Sequence, residues 1–177
     1  MIHLQIAEAG KRHSLKGNHT AALERYRHAL HLALQKRANP VFLYHYTECI
    51  LDALEAAGEA PQALALTERA LEEHKDEGGE LGRRVRASLQ QRRVVLLFIL
   101  ERKQEADTAL TEAAELGGPI LSALQEARRR QLTITPGWLS AIRRQHNKGI
   151  INSEALRHAD AAAGEVHFIK ENACAGH

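Results

Sequence analysis

Apolar side chains recur along this chain at the three- and four-residue spacing of amphipathic helices. In residues 19–37, for example, Ala22, Tyr26, Ala29 and Ala33 fall on one face of a helix. No stretch of useful length alternates apolar and polar residues as a half-buried strand would. Helices are predicted over about residues 3–16, 19–37, 41–57, 81–102 and 104–116, and others start near residues 61, 119, 136 and 152. The pattern therefore predicts an all-α fold.

Glycine and proline separate the predicted helices. Gly17, Gly58 and Gly117 each follow the end of an apolar pattern, where glycine commonly stops a helix. Thr135 precedes Pro136, which is the arrangement of an N-cap followed by proline in the first turn. We therefore expect helix boundaries at these residues.

One helical pattern occurs three times along the chain. Ala22, Ala63 and Ala106 occupy the same position in it and are spaced by 41 and 43 residues. A recurring period of this length is typical of stacked helix pairs, in which each pair buries its apolar face against its neighbours. The first copy is the most complete and comprises Ile6, Gly10, Gly17, Asn18, Ala22, Tyr26, Ala29 and Leu30.

These residues resemble the tetratricopeptide repeat family. The family pattern has a large and then a small residue in the first helix, a turn of Gly followed by Asn or Asp, and a small residue, an aromatic residue and Ala–Leu in the second helix. The second copy has Thr67 where the aromatic residue would be, and the third has residues 100–103 in place of the glycine turn. The usual period is 34 residues, so the longer period of this chain resembles the long-helix variants of the family.

The resemblance implies a right-handed α-solenoid of helix pairs with a helical C-terminal cap. The expected organisation is one domain over residues 1–164, with repeats at about 3–37, 41–75 and 81–117, a cap at 119–164 and a tail without regular structure at 165–177. The implied function is that of a non-enzymatic protein–protein interaction module, such as an adaptor, a scaffold or a chaperone-like protein. It would hold a peptide or helix of its partner in a concave groove.

The resemblance also implies which residues line that groove. In the family, one face of the first helix of each pair lines it, and some members grip a carboxylate there, for which only Arg92 of this chain fits. The expected groove residues are Lys11, His45, Glu48, Asp52, Glu55, Gln91, Arg92, Val95 and Phe98. Glu48, Asp52 and Glu55 would form an acidic stripe suited to a basic ligand. The alternative is a helix face that contacts only solvent, as charge runs often do.

The charge distribution suggests an alternative function. Residues 1–80 carry nine basic and twelve acidic side chains, whereas residues 81–150 carry thirteen basic and six acidic ones. The arginines concerned are Arg83, Arg84, Arg86, Arg92, Arg93, Arg128, Arg129, Arg130, Arg143 and Arg144. A regulatory protein could bind nucleic acid or an acidic protein through them, although the arginine clusters contain no aromatic residue to stack on bases. Ion pairs between neighbouring helices are the other interpretation.

Other classes of function lack their usual residues. The sequence has eleven histidines and two cysteines, but no CxxC, no zinc-protease motif around His28 and His31, and no glycine-rich nucleotide loop. We therefore expect no enzymatic activity, no metal and no cofactor. The longest apolar run, residues 94–100, is too short to span a membrane. We expect a cytoplasmic protein in which this run is either the buried centre of the stack or a homodimer interface.

Overall fold

The structure, a computed structural model, describes residues 1–146 apart from the side chains of Arg144 and His146. Within these residues the chain forms helices and turns and no strand, which confirms the predicted all-helical fold. The α-helices are α1 (Ile2–Leu15), α2 (His19–Gln35), α3 (Pro40–Ala56), α4 (Ala60–Glu73), α5 (Gly79–Ile99), α6 (Lys103–Glu112), α7 (Pro119–Arg129) and α8 (Pro136–His146), and a 3₁₀ helix, Ala114–Leu116, follows α6. The predicted ninth helix and the tail 165–177 lie outside the described residues.

The helix boundaries follow the residues that predicted them. Pro119 and Pro136 are the first residues of α7 and α8, where the missing N–H of proline leaves no helical hydrogen bond unmade. Thr135 caps α8, because its Oγ1 accepts a hydrogen bond from the backbone N–H of Trp138 at 3.2 Å. α6 ends earlier than expected, at Glu112, because the residues that follow it tighten into the 3₁₀ helix.

The described residues form two compact units. Unit 1 is Met1–Ala53, which contains α1, α2 and most of α3. Unit 2 begins at Leu54, in the last turn of α3, and contains α4 to α8. The boundary therefore falls inside a helix and not in a loop. The organisation as a single domain over residues 1–164 stays a prediction.

The turn between the two helices of each copy has the same backbone geometry. In each turn, a backbone N–H just past the first helix bonds the carbonyl oxygen five residues earlier, at 2.9–3.0 Å. The residue before that N–H is left-handed, and it is Gly17 (φ 74°), Gly58 (φ 81°) or Glu101 (φ 56°). This arrangement closes a helix by satisfying its last carbonyl groups. The third copy, which lacks the glycine, therefore keeps the turn by placing a glutamate in the left-handed region.

The second helix of each copy also begins in the same way. Ala22, Ala63 and Ala106 are the fourth residues of α2, α4 and α6, and each is 0% exposed. A fully buried methyl group in a close-packed interior leaves little room for a larger side chain. The three copies thus share the backbone geometry of the turn and a fully buried alanine.

Unit 1 contains a close contact between α1 and α2, which pack along each other. The ring of the buried Tyr26 lies over Gly10, so that a Cβ atom on Gly10 would stand 2.8 Å from the tyrosine Cε1. The Tyr26 Oη also lies 3.4 Å from Ser14 Oγ on α1. The repeat pattern has a small residue in its first helix and an aromatic residue in its second. In the first copy these residues are Gly10 and Tyr26, and they contact each other.

In unit 2, α5 packs against α4, α6 and α8. Its last six residues, 94–99, are all apolar, and Val94, Leu96 and Leu97 are completely buried. A helix end of this kind is covered all round by its neighbours. Despite this apolar end, neither α5 nor any other helix in residues 1–146 has the length and hydropathy needed to cross a membrane. The homodimer through this helix stays a prediction, but the run that suggested it is largely buried within a single chain.

The third turn leads to a prediction about stability. Glu101→Gly is expected to raise the free energy of unfolding by about 0.5–1 kcal/mol, because glycine adopts the left-handed conformation without the steric cost of a Cβ atom. Thermal unfolding followed by circular dichroism measures the change. Gly58→Ala, which places a side chain at the same position of the second turn, is the matched variant and should lower Tm. A Glu101→Gly protein that melts no higher than wild type would contradict the equivalence of the turns.

Candidate functional site

The structure places the predicted groove residues in both units. Unit 1 contains Lys11, His45, Glu48 and Asp52. Unit 2 contains Glu55, Gln91, Arg92, Val95 and Phe98. The two groups have different surroundings, so each is described by itself.

The unit 1 residues belong to a polar surface on α1 and α3, which we call the unit 1 face and define as Glu8, Lys11, His45, Glu48 and Asp52. On α1, Lys11 Nζ donates a hydrogen bond to Glu8 Oε1 at 2.8 Å. On α3, the other three residues follow each other at three- and four-residue steps and therefore share one stripe. All five residues are half-buried. Charges in such positions are screened less by solvent than fully exposed ones.

The electrostatics of His45 connect the two helices of this face. Burial first, and then the positive charge of Lys11, lower the pKa of His45 below its ordinary value of 6.5. Carboxylates act on it in the opposite direction, and they are Glu8, Asp52 and Glu48. The lysine of α1 and the acidic residues of α3 therefore act on the same imidazole, which is neutral at neutral pH.

A buried histidine, which we did not predict, joins α1 to α3 in the same unit. His3 Nδ1 and Tyr46 Oη are hydrogen-bonded at 2.7 Å, and the imidazole meets the ring of Phe42 edge-on with centroids 5.2 Å apart. The spacing of His3 with Ala7 and Gly10 was the available signal, since all three are buried on one face of α1. This contact fixes the relative position of the two helices that carry the unit 1 face.

Cys49 and His45 lie one turn apart on α3, with Sγ and Nε2 separated by 3.8 Å. A cysteine beside a histidine is the arrangement of an activated nucleophile and its base. Here, however, Cys49 is completely buried, and burial together with the charge of Asp52 raises its pKa to about 12. The reactive thiolate is therefore not formed near neutral pH. Cys49 is a buried packing residue one turn from the half-buried His45.

Glu55, the third residue of the predicted acidic stripe, has a different environment. Its Oε1 accepts a hydrogen bond from Arg92 Nη1 on α5, and its Oε2 accepts one from Arg143 Nη1 on α8. The side chains of Glu55 and Arg92 are each 9% exposed, and that of Arg143 is 25% exposed. We call these three residues the Glu55 network. The carboxylate is compensated by arginines of its own chain, so it does not continue the acidic surface of the unit 1 face.

The residues expected on the apolar side of the groove belong to the core of unit 2. Val95 and Phe98 are only 2% and 9% exposed, so neither offers surface to a ligand in this conformation. Gln91, on the same helix, is half-buried. The reason is that α5 packs against three helices of its unit, which leaves few of its faces open.

The arginines of residues 81–143 make contacts within unit 2. Arg93 reaches two helices, with Nε 3.4 Å from Glu68 Oε1 and Nη1 3.2 Å from Glu112 Oε2. Arg86 donates a hydrogen bond to the carbonyl oxygen of His74 at 3.2 Å, at the end of α4. Further ion pairs join Arg83 and Arg84 to Glu80, Arg128 to Asp107, and Arg129 and Arg130 to Glu126. The pairs of Arg93 and Arg128 join neighbouring helices, as the ion-pair interpretation of the arginine-rich region predicts. The pairs with Glu80 and Glu126 are instead local, between residues three or four apart in the sequence.

A cleft of about 560 Å³ opens between α4 and α5 in unit 2. Leu71 is the apolar residue in its lining, and the charged residues there are Glu68, Glu72, Lys75, Arg86 and Arg93. Small-molecule sites are mostly apolar with a few polar groups, so this cleft does not have their character. Within residues 1–146, no three His, Cys, Asp or Glu side chains come together in a group that could hold a metal ion.

The lowered pKa of His45 predicts a pH dependence of stability. As the pH falls below 6.5, the unfolded chain binds a proton on this imidazole before the folded chain does, so the free energy of unfolding decreases until the folded pKa is also passed. His45→Gln should therefore weaken the dependence of the urea midpoint on pH between about pH 7 and about pH 5. The exposed His28→Gln variant is the control, and an equal effect of both substitutions would contradict the role of His45.

Comparison of the chain with models of protein families, with curated proteins and with solved structures found no match. The features of the chain that bear on its function are the repeated helix pairs, the unit 1 face and the Glu55 network.

Proposed function

We propose that this chain is a non-enzymatic protein–protein interaction module of tetratricopeptide-like helix pairs, arranged as a right-handed solenoid, that binds a peptide or helix of a partner protein in the cytoplasm. One observation carries the proposal: in all three copies the turn is followed by a fully buried alanine at the fourth position of the second helix. The turns contain Gly17, Gly58 and Glu101 at equivalent positions. Repeated helix pairs of this kind build extended surfaces, which such proteins use for binding.

The unit 1 face is the part of this surface that fits a basic segment. Glu48 and Asp52 contribute two carboxylates on one stripe of α3, while Lys11 is hydrogen-bonded to Glu8 on α1. The half-buried positions of these residues make their charges more effective than those of a fully solvated helix face. Carboxylates in such positions select a ligand with lysine or arginine and disfavour acidic competitors.

The alternative function, binding of nucleic acid or of an acidic protein through the arginines, has less support. Arg93 pairs with both Glu68 and Glu112, and the other arginine contacts described above also engage acidic side chains or carbonyl groups of unit 2. A guanidinium that already binds a carboxylate would have to break that contact to bind phosphate. Binding of nucleic acid through these arginines would therefore require their existing contacts to break.

The test uses peptides selected from a random display library against the full chain. We expect the selected peptides to combine lysine or arginine with apolar residues. The double substitution Glu48→Lys, Asp52→Lys should weaken their binding at least about tenfold, because it replaces attraction by repulsion at the unit 1 face. Isothermal titration calorimetry with a synthetic peptide measures the change.

A matched control separates this effect from a general change in charge. Glu24→Lys combined with Glu73→Lys alters the net charge equally, and both glutamates are exposed outside the unit 1 face. We expect this variant to bind the peptides like wild type. If the two double variants lose affinity equally, or if neither loses any, the acidic residues of α3 form only a solvated helix face.

A further inference from the structure

We propose that the surface of unit 2 around Glu55 is a docking site for an amphipathic helix of a partner protein that carries leucine and arginine four residues apart, and that α8 occupies this site until the partner displaces it. The inference rests on the proposed function, because it names the kind of segment that such an interaction module takes at a second surface. The chemistry of the occupant is read from α8 itself.

The first observation is the position of Arg143. It comes 88 residues after Glu55 in the sequence, and yet its guanidinium binds Oε2 of that carboxylate. Oε1 is bound by Arg92 from α5. The network therefore has an inner arginine, which is as buried as Glu55, and an outer arginine, which is a quarter exposed. The outer arginine is supplied by the last described helix.

The second observation is the apolar residue that accompanies this arginine. Leu139, one turn before Arg143, is buried, and Trp138 and Ile142 beside it are half-buried. α8 packs against both α5 and α7. Residues four apart on a helix lie on the same face, so leucine and arginine enter unit 2 together. This is the pattern by which an amphipathic helix is recognised in a groove.

The third observation concerns the charge of Glu55, which remains compensated when α8 departs. When Arg143 leaves, Glu55 still has its contact with Arg92, so no carboxylate is left without a cation. α8 is a helix of 11 residues, and among its described side chains Leu139 is the one that is fully buried. Short helices of this length depend on tertiary contacts for their stability. Release of α8 therefore leaves the inner ion pair of Glu55 and Arg92 intact.

The occupant that displaces α8 is a partner protein and not a second copy of this chain. The α7 helix ends at Arg129 and α8 begins at Pro136, so the connection is short and holds α8 at a high effective concentration, on the order of millimolar, beside its site. The same helix from a second copy offers identical contacts without this advantage. A partner helix must therefore offer contacts beyond those of α8, together with a basic residue that binds Glu55 as Arg143 does.

The test uses the full chain and a fluorescent peptide of residues 134–146 as the probe. In the released variant, Leu139→Ala with Arg143→Ala, α8 loses both of its anchoring side chains. We expect this variant to bind the probe at least about tenfold more tightly than wild type, because its site is open for a larger fraction of the time. Fluorescence anisotropy gives the two dissociation constants. A probe that itself carries the same two substitutions should bind neither protein.

The matched control is Ser140→Ala with Gln145→Ala, which alters two exposed positions of α8 and should bind the probe as weakly as wild type. Equal affinity of wild type and released variant, or no binding to a released variant that remains helical, would overturn the proposal. If light scattering shows a wild-type dimer that the released variant cannot form, the occupant is a second copy and the assignment to a partner protein is wrong.

Hydrogen exchange of the wild-type chain keeps the proposal testable if the released variant does not fold. Amides of α8 should exchange through a local opening, and therefore faster than those of α5 and α7. Exchange of α8 only together with α5 would overturn the proposal. Substitution of Glu48 and Asp52 must leave binding of the probe unchanged, because these residues lie outside the site around Glu55. Absence of probe binding is therefore distinguishable from absence of peptide binding at the unit 1 face.

Discussion

Replacing Glu55 with alanine is expected to lower the free energy of unfolding by about 3–5 kcal/mol, because it leaves the charges of Arg92 and Arg143 without their common carboxylate in a mostly buried site. Removing the outer partner has a different consequence. Arg143→Ala should cost only about 1 kcal/mol, since Glu55 retains Arg92 and Arg143 is partly solvated. Urea unfolding followed by circular dichroism measures both values.

The exposed Glu73→Ala variant in α4 is the control for this prediction, because a surface substitution without a special contact changes stability by no more than about 0.5 kcal/mol. A Glu55→Ala protein as stable as the Glu73→Ala protein would show that the network contributes no net stability. The two losses in free energy of unfolding can also be compared. A much smaller loss for Arg143→Ala than for Glu55→Ala is what the proposed release of α8 requires, because Arg92 must still compensate Glu55 after Arg143 leaves.

Replacement of the buried alanines by leucine should have the next largest effect on the free energy of unfolding. Ala22→Leu, Ala63→Leu and Ala106→Leu are each expected to cost about 1–3 kcal/mol, because each site is fully buried and the larger side chain forces its neighbours apart. The same denaturation experiment measures the loss. Ala65→Leu makes an identical chemical change two residues from Ala63, at an exposed position of the same helix, and should be nearly neutral.

The comparison among the three sites is as informative as the individual values. Similar losses would show that the copies are equivalent in packing, as the repeat predicts. A loss at one site and none at the others would mean that the sequence period does not correspond to a repeated contact. In that case the resemblance to tetratricopeptide repeats would no longer support the proposed function.

The helices were largely predictable because their signals are local. Gly17 and Gly58 close helices, and Pro119 and Pro136 open them, whatever the rest of the chain does. The third turn was the difficult case, since Glu101 replaces the expected glycine. Glutamate carries no local signal for the left-handed region that it adopts here with φ 56°, so the sequence of a few residues does not show that a turn of the same geometry forms.

The candidate site was predictable only where it depends on spacing within one helix. His45, Glu48 and Asp52 share a stripe because steps of three and four residues always do. The same spacing assigned Glu55 to that stripe, but its environment is set by Arg92 and Arg143, which lie 37 and 88 residues away in the sequence. Contacts at such separations depend on tertiary packing, for which the sequence of one chain carries no periodic signal.

The sequence also could not show how many helices pack against α5. Val95 and Phe98 have the correct spacing for a groove, yet both are buried. Burial of this kind depends on which helices pack on each side of α5, and α4, α6 and α8 all pack against it. A face that the repeat pattern leaves open can therefore be covered by a later helix of the same chain.

The position of Trp138 on α8 has a spectroscopic consequence. It is the only tryptophan of the chain, and it is half-buried at the start of that helix. Emission excited selectively in tryptophan therefore reports on the surroundings of a single helix, whereas circular dichroism reports on all of them. If α8 leaves its site first, the emission maximum will shift at a lower denaturant concentration than the helical signal. The same shift gives a label-free optical signal for the arrival of a ligand.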